Sequence, residues 1–272
     1  MKKEQGTRLS LCSPVLDGGL MEGTGYETFS FYYDTLTGNV DYPARAAYLN
    51  ALIRENLRSK GNVMLDLACG TGTMTEEMAK RGYDMIGVDY SAGMLSQAME
   101  KKIAQGLPIQ YVQQDMRELE LYGTVDVTIC TLDSLNHLPD LSDVQKVFRR
   151  VADVTEPGGL FVFDMNTLYK HQKLLGNQVY IYETDEVYCV WENTLREDGC
   201  TVDIILELFQ LCEDGRYCRQ EETLTERAYA PEQVTAALQE AGFSVIGVYH
   251  ADTMEPLRDD SERMVIAARK EA

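Results

Sequence analysis

From Asn62 to Met165 the chain repeats one pattern, a short apolar run followed by a segment whose apolar residues recur at helical spacing. The runs "NVMLDLA", "YDMIGVD", "IQYVQQ", "VDVTICTL" and "GLFVFDM" read as strands. The spacing predicts a helix from about Thr73 to Arg81, a second from Ser91 with Met94, Leu95, Ala98, Met99 and Ile103 facing inward, and a third through Leu141, Val144, Val147, Phe148 and Val151. Such alternation is the signature of an α/β fold, a mostly parallel sheet with helices on both faces. Thr73 to Glu76 offers a capping box, and Ser91 a cap for the helix that follows it. Upstream, Pro43 can open a helix whose Ala46, Leu49, Leu52 and Ile53 cover one face of the sheet.

The alternation stops after about Lys173. Two Asp-Gly pairs, Asp198-Gly199 and Asp214-Gly215, then separate β-rich runs, and Asp-Gly is a strong hairpin signal. A three-stranded antiparallel insertion over 176–229 is expected. Pro231 opens a further helix that Gly242 closes, and "FSVIGVY" and "RMVIAARK" complete a seven-stranded sheet. Residues 26–175 and 230–272 would then form one domain interrupted by the insertion. Residues 1–25, rich in glycine and without periodicity, read as a flexible tail. The aromatic stretch Tyr26 to Gly38 reads as a short helix packed on the domain or on a ligand.

With 44 acidic and 25 basic residues the net charge is −19, which repels a phosphate backbone, so no nucleic-acid partner is expected. No apolar run has the length of a membrane span and no secretion leader is evident, so a cytoplasmic protein with no membrane partner is expected. The seven cysteines include no CxxC pair and the three histidines lie far apart, so no metal is expected and the thiols read as reduced.

In an open α/β sheet the ligand sits beyond the carboxyl ends of the strands, which directs attention to Ala68-Cys-Gly-Thr-Gly72. Gly70 and Gly72 allow a sharp turn and close approach of backbone to a ligand. A dinucleotide turn would carry a third glycine where this chain has Thr75, which disfavours a nicotinamide or flavin cofactor. Asp89 ends the second strand 19 residues after Gly70, the distance at which a carboxylate accepts from ribose hydroxyls, although it could also only cap the next helix. Asp66 is a charge in an apolar strand and needs donors. Asp115, with Met116, could read the amino edge of an adenine or could be a plain turn residue.

Together, "LDLACGTGTMTEEMAKRGYDMIGVDYS", "QQDMRELEL", "DVTICTLDSLNHL" and "EPGGLFVFDM" resemble the successive motifs of the class I S-adenosylmethionine-dependent methyltransferases, over roughly Tyr26 to Lys270. The insertion followed by "RAYAPEQVTAALQEAGF" resembles small bacterial YqeM-like members with an antiparallel lid, and distantly glycine and amino-sugar N-methyltransferases. The resemblance implies a Rossmann-like fold, with Asp66, Gly70 and Gly72 around the methionine part of the cofactor, Asp89 and Tyr90 at the ribose, Asp115 and Met116 at the adenine, and Leu132 and Asp133 near the sulfonium. Tyr33, Ala68 and Met94 join this cofactor set, Met94 reading equally as core. His137 is the candidate base, with a wall histidine as the plain alternative. Tyr26, Tyr188, Trp191 and Arg227 are candidates for the acceptor pocket. Similar lids tend to carry a histidine in their last strand, where this chain has Leu224. The implied reaction is methyl transfer to nitrogen or oxygen of a small-molecule acceptor by in-line displacement, in a monomer or homodimer. A non-catalytic, S-adenosylmethionine-binding regulatory protein is the alternative.

Overall fold

The computed structural model describes residues 29–185, 187–212 and 214–271; the expected tail over 1–25 and Tyr26 lie outside them. The first helices are α1 (Phe29–Leu36) and α2 (Tyr42–Asn56). Asp41 caps α2 by accepting from the Ala44 N–H at 3.0 Å. Then follow β1 (Val63–Leu67), α3 (Thr73–Lys80), β2 (Asp84–Asp89), α4 (Ala92–Gln105), β3 (Gln110–Gln113), β4 (Val125–Cys130), α5 (Leu141–Val154) and β5 (Thr155–Asn166). The chain next forms β6 (Val179–Glu183), β7 (Val187–Leu195), β8 (Thr201–Leu211) and β9 (Tyr217–Arg227). Helix α6 (Pro231–Glu240), β10 (Phe243–His250) and β11 (Arg263–Lys270) complete it.

Seven strands form one sheet in the order β10-β11-β5-β4-β1-β2-β3, parallel except for the pairs made by β11. The chain order reverses between β1 and β4, which opens a crevice at their carboxyl ends. Period-two alternation sends side chains to two cores. On β5, Phe161, Phe163 and Met165 join Phe148 and Phe243 on one face, while Leu160 and Val162 meet Leu49, Leu52 and Ile53 of α2 on the other.

Three local readings need correction. The insertion carries four antiparallel strands, β6-β7-β8-β9, not three. The additional turn lacks an Asp-Gly pair and is made instead by Thr184, whose hydroxyl accepts from the Val187 N–H at 3.0 Å. Thr73 does not cap α3: Gly72 takes the cap position, without a side-chain bond, and the Thr73 hydroxyl engages Asp34 and Lys101. Met99 and Ile103 are exposed, because helical spacing turns them away from the side of α4 that buries Met94, Leu95 and Ala98.

Gly72 sits at φ +78°, and a Cβ there would stand 2.3 Å from the Tyr111 hydroxyl oxygen and 3.0 Å from Ala98 Cβ. Left-handed strain and overpacking therefore act together in Gly72→Ala, which is expected to lose about 2 kcal/mol or more in urea unfolding. Gly123→Ala, with open space around its Cβ, should change stability by no more than about 0.5 kcal/mol. Equal effects in the two variants would contradict this account of the turn.

Candidate functional site

Four strand ends, α1 and one strand of the second sheet surround a cavity of about 630 Å³, within the range of small-molecule sites. Its floor is the turn after β1. Ala68, Gly70 and Gly72 all have positive φ, and the turn closes with the Gly72 N–H donating to the Cys69 carbonyl at 2.9 Å. A Cβ on Gly70 would meet no protein atom within 4 Å, so bare backbone faces the cavity there.

Asp89, at the end of β2, fastens this floor. One carboxylate oxygen accepts from the Gly70 N–H and the other from the Ser91 N–H, both at 2.8 Å. Burial pushes its pKa up, and these backbone donors oppose that shift. Each oxygen keeps acceptor capacity toward the cavity it lines. Tyr90 and Met94 line the same side. Past β3, Asp115 accepts from the Arg117 N–H at 2.8 Å and pairs with its guanidinium at 2.5 Å, and those bonds hold its carboxyl below the usual range. It caps the following turn and lines the cavity with Met116, so the turn reading and the ligand reading describe one residue.

Past β4, Leu132 and His137 line the opposite side, the latter on a short 3₁₀ turn, Ser134–His137. Asn136 on that turn is fully buried: its amide donates to the Asn166 and Arg227 carbonyls at 3.2 and 2.9 Å, and its oxygen accepts from the Asn166 N–H at 2.9 Å. The turn is thereby tied to β5 and to the end of β9. Helix α1 covers the floor with Tyr33. Its Asp34 accepts from the Thr71 hydroxyl and from Lys101 Nζ, both at 2.6 Å.

Several expected residues stand elsewhere. Asp66 lies beneath the floor, and Thr75, at the place of the missing third glycine, donates to its carboxylate at 2.6 Å. Gly72 supports the turn from below against Tyr111. Asp133 points away and pairs with Arg263 at 2.7 Å. Tyr188 lies in a separate cavity of about 370 Å³ on the second sheet, beside Phe209 and Tyr217. Trp191 packs edge-on against Phe29, and Arg227 pairs with Asp198 at 3.2 Å. Tyr188 and Trp191 lie on β7, away from the mouth of the main cavity, and although Arg227 ends β9, it is Thr223, Leu224 and Thr225 of that strand that line the mouth.

Those three residues, with Tyr42, Thr71, Gln114, Arg117 and Ser134, also line the site and escaped sequence reasoning. Thr71, Gln114, Arg117 and Ser134 follow recognised strand ends within four residues, which is the signal that could have found them. Among the described residues no cluster of His, Cys, Asp or Glu could hold a metal ion, and no helix is long and apolar enough to cross a membrane.

The methyltransferase domain family matches residues 64–159 of this chain. A Geobacillus protein named as a methyltransferase is 31% identical over 245 residues, covering 90% of this chain and 99% of that protein. Bacillus subtilis YqeM, likewise named as a methyltransferase, is 30% identical over 246 residues, covering 90% and 97%. The solved structure of an S-adenosylmethionine-dependent methyltransferase from Clostridium acetobutylicum superposes with a TM-score of 0.81 at 31% identity, covering 91% of this chain and 99% of that one.

Burial raises the pKa of Asp66 from its ordinary 3.8 to about 7, against the Thr75 hydrogen bond that lowers it. The folded chain thus holds a proton that the unfolded chain releases. Stability from this group is full below the ordinary value and is lost as pH rises through the folded one. In urea unfolding across that window, the stability of the wild type relative to Asp66→Asn is expected to fall from 3.8 to about 7 and then level off. A difference independent of pH would show that Asp66 ionises normally in the fold.

Proposed function

Since this chain belongs to the class I S-adenosylmethionine-dependent methyltransferases, we propose that it methylates a nitrogen or oxygen of a small-molecule acceptor held under β9. What carries the reading is the cavity itself, one continuous space from the Gly70 turn past Asp89 and Asp115 to His137 and the Thr223–Thr225 segment. The residues fit the cofactor: bare backbone at Gly70, carboxylate oxygens at Asp89 for ribose hydroxyls, and Asp115 with Met116 for an adenine edge.

S-adenosylmethionine, held by Gly70, Asp89, Asp115 and Met116, would supply an electrophilic methyl carbon on a cationic sulfur, with S-adenosylhomocysteine as the product once the methyl is transferred. The chain's own work is to position, desolvate and take up a proton. Tyr33 and Leu224 exclude water from the two sides of the cavity. The Thr131 and Thr223 hydroxyls offer an acceptor hydrogen bonds, those of Ser134 and Thr225 being committed to the Thr131 carbonyl and to Asp203, and His137 takes the proton that the acceptor loses. A space of about 630 Å³ closed by a β-strand suits a small molecule. The net charge of −19 argues against RNA as the acceptor.

Calorimetric titration with S-adenosylhomocysteine tests the cofactor side. Asp89→Ala should weaken that binding by ~1–3 kcal/mol, the worth of hydrogen bonds to a carboxylate. Unchanged affinity would remove Asp89 from the site. The acceptor side is tested by S-adenosylhomocysteine formation against a panel of amines, alcohols and phenols. With an acceptor in hand, His137→Ala is expected to slow turnover by about 10²–10⁴-fold while cofactor affinity holds. Full activity would make it a wall residue, and binding without turnover across the panel would favour a regulatory protein.

A further inference from the structure

The "GLFVFDM" strand ends in an acid that the reading above leaves unused. Asp164, on β5, is 3% exposed and sits directly behind the turn after β4. Its two carboxylate oxygens accept from two successive backbone donors, the Leu132 N–H at 2.9 Å and the Asp133 N–H at 2.8 Å. Both of those residues are left-handed, at φ +60° and +57°, a conformation that costs energy in a leucine and an aspartate alike. Two guanidiniums hold the acid in place. Arg45 of α2 reaches it at 2.8 Å and continues to Asp252 at 2.9 Å, and Arg263 of β11 bridges it to Asp133.

An ion cluster whose only task was to join α2, β5 and β11 would not need the loop's N–H groups, and buried ion pairs are poor sources of stability. Here the donors aimed at Asp164 are those of the strained residues themselves. The turn leads without a break into the Ser134–His137 segment, the Asn136 N–H donating to the Asp133 carbonyl at 2.7 Å. We infer that Asp164 is a positioning residue for methyl transfer: by fixing Leu132 and Asp133 in the left-handed turn, it sets the wall that faces the methyl group and the place from which His137 acts. The inference rests on the reading above that Leu132 stands near the sulfonium.

S-adenosylmethionine and S-adenosylhomocysteine differ only in the methyl group and its charge, so their affinity ratio reports on that wall and not on the ribose or adenine contacts. Calorimetry of the wild type and Asp164→Asn with each compound therefore tests the inference without an acceptor. The amide cannot accept from both N–H groups, so the variant is expected to lose about fivefold or more in S-adenosylmethionine affinity, with S-adenosylhomocysteine within about twofold of the wild type. Parallel losses for both compounds, or no loss, would leave Asp164 a structural residue and overturn the inference. A wild type that binds neither compound would instead overturn the cofactor reading, and this one with it. If Asp164→Asn does not fold, Arg263→Lys serves, since an ammonium keeps the charge but does not span Asp133 and Asp164 together. The same selective loss is expected there, and an unchanged ratio counts against the inference.

Discussion

The site depends on the Asp89 carboxylate, which binds the end of β2 to the turn after β1. Two neighbouring parallel strands bring Gly70 and Asp89 to one level, and the hydrogen bonds to Gly70 and Ser91 then fix both the glycine turn and the start of α4. Without that acceptor the Gly70 N–H would face the cavity floor unpaired and the left-handed residues at 68, 70 and 72 would lose their anchor. The rest of this side of the cavity is assembled outward from the same junction. Asp115 follows β3, the next strand along, and Leu132 follows β4 on the other side of β1.

How much of this was legible follows from how far each interaction reaches along the chain. The central strands were legible because buried parallel strands read as apolar runs between helical periods. Asp89 was legible because a turn and a strand end fall at a fixed separation. Tyr188, Trp191 and Arg227 were not, because which residues of an insertion reach the strand ends depends on its strand pairing and register, and no local signal encodes that. Thr223 to Thr225 reach the cavity through the pairing of β9 with β8 and its tether to Asn136. The fourth strand of the insertion was hidden because a threonine turn has no Asp-Gly mark.

Thr75 shows a different limit. Read against a dinucleotide turn, it is a missing glycine. In the fold it is a donor, its hydroxyl 2.6 Å from the buried carboxylate of Asp66. One substitution thus both excludes the tight helix approach of a pyrophosphate site and partners a polar group within the core. Pattern matching detects the first consequence and is blind to the second.

The cavity's two halves are joined by contacts of unequal kind. On the floor side, α1 meets the second sheet through Phe29, Tyr32 and Leu36 packed with Val187, Ile204 and Leu206 and through the Phe29 N–H, which donates to Glu222 of β9 at 2.8 Å, and meets the glycine turn through Asp34. On the far side, β9 is held by the buried amides of Asn136 and Asn166, the latter donating to Glu226 at 2.8 Å. Apolar contacts tolerate sliding, whereas separating buried amides from their acceptors leaves polar groups without partners at a cost of about 1–3 kcal/mol each. The energetic resistance to moving β9 away from the strand ends therefore lies in buried polar contacts on both sides, at Asn136 and Asn166 on one and at the Phe29 N–H to Glu222 bond on the other. Asn136 and Asn166 are also where the sheet must stay registered if Thr223, Leu224 and His137 are to face the same acceptor.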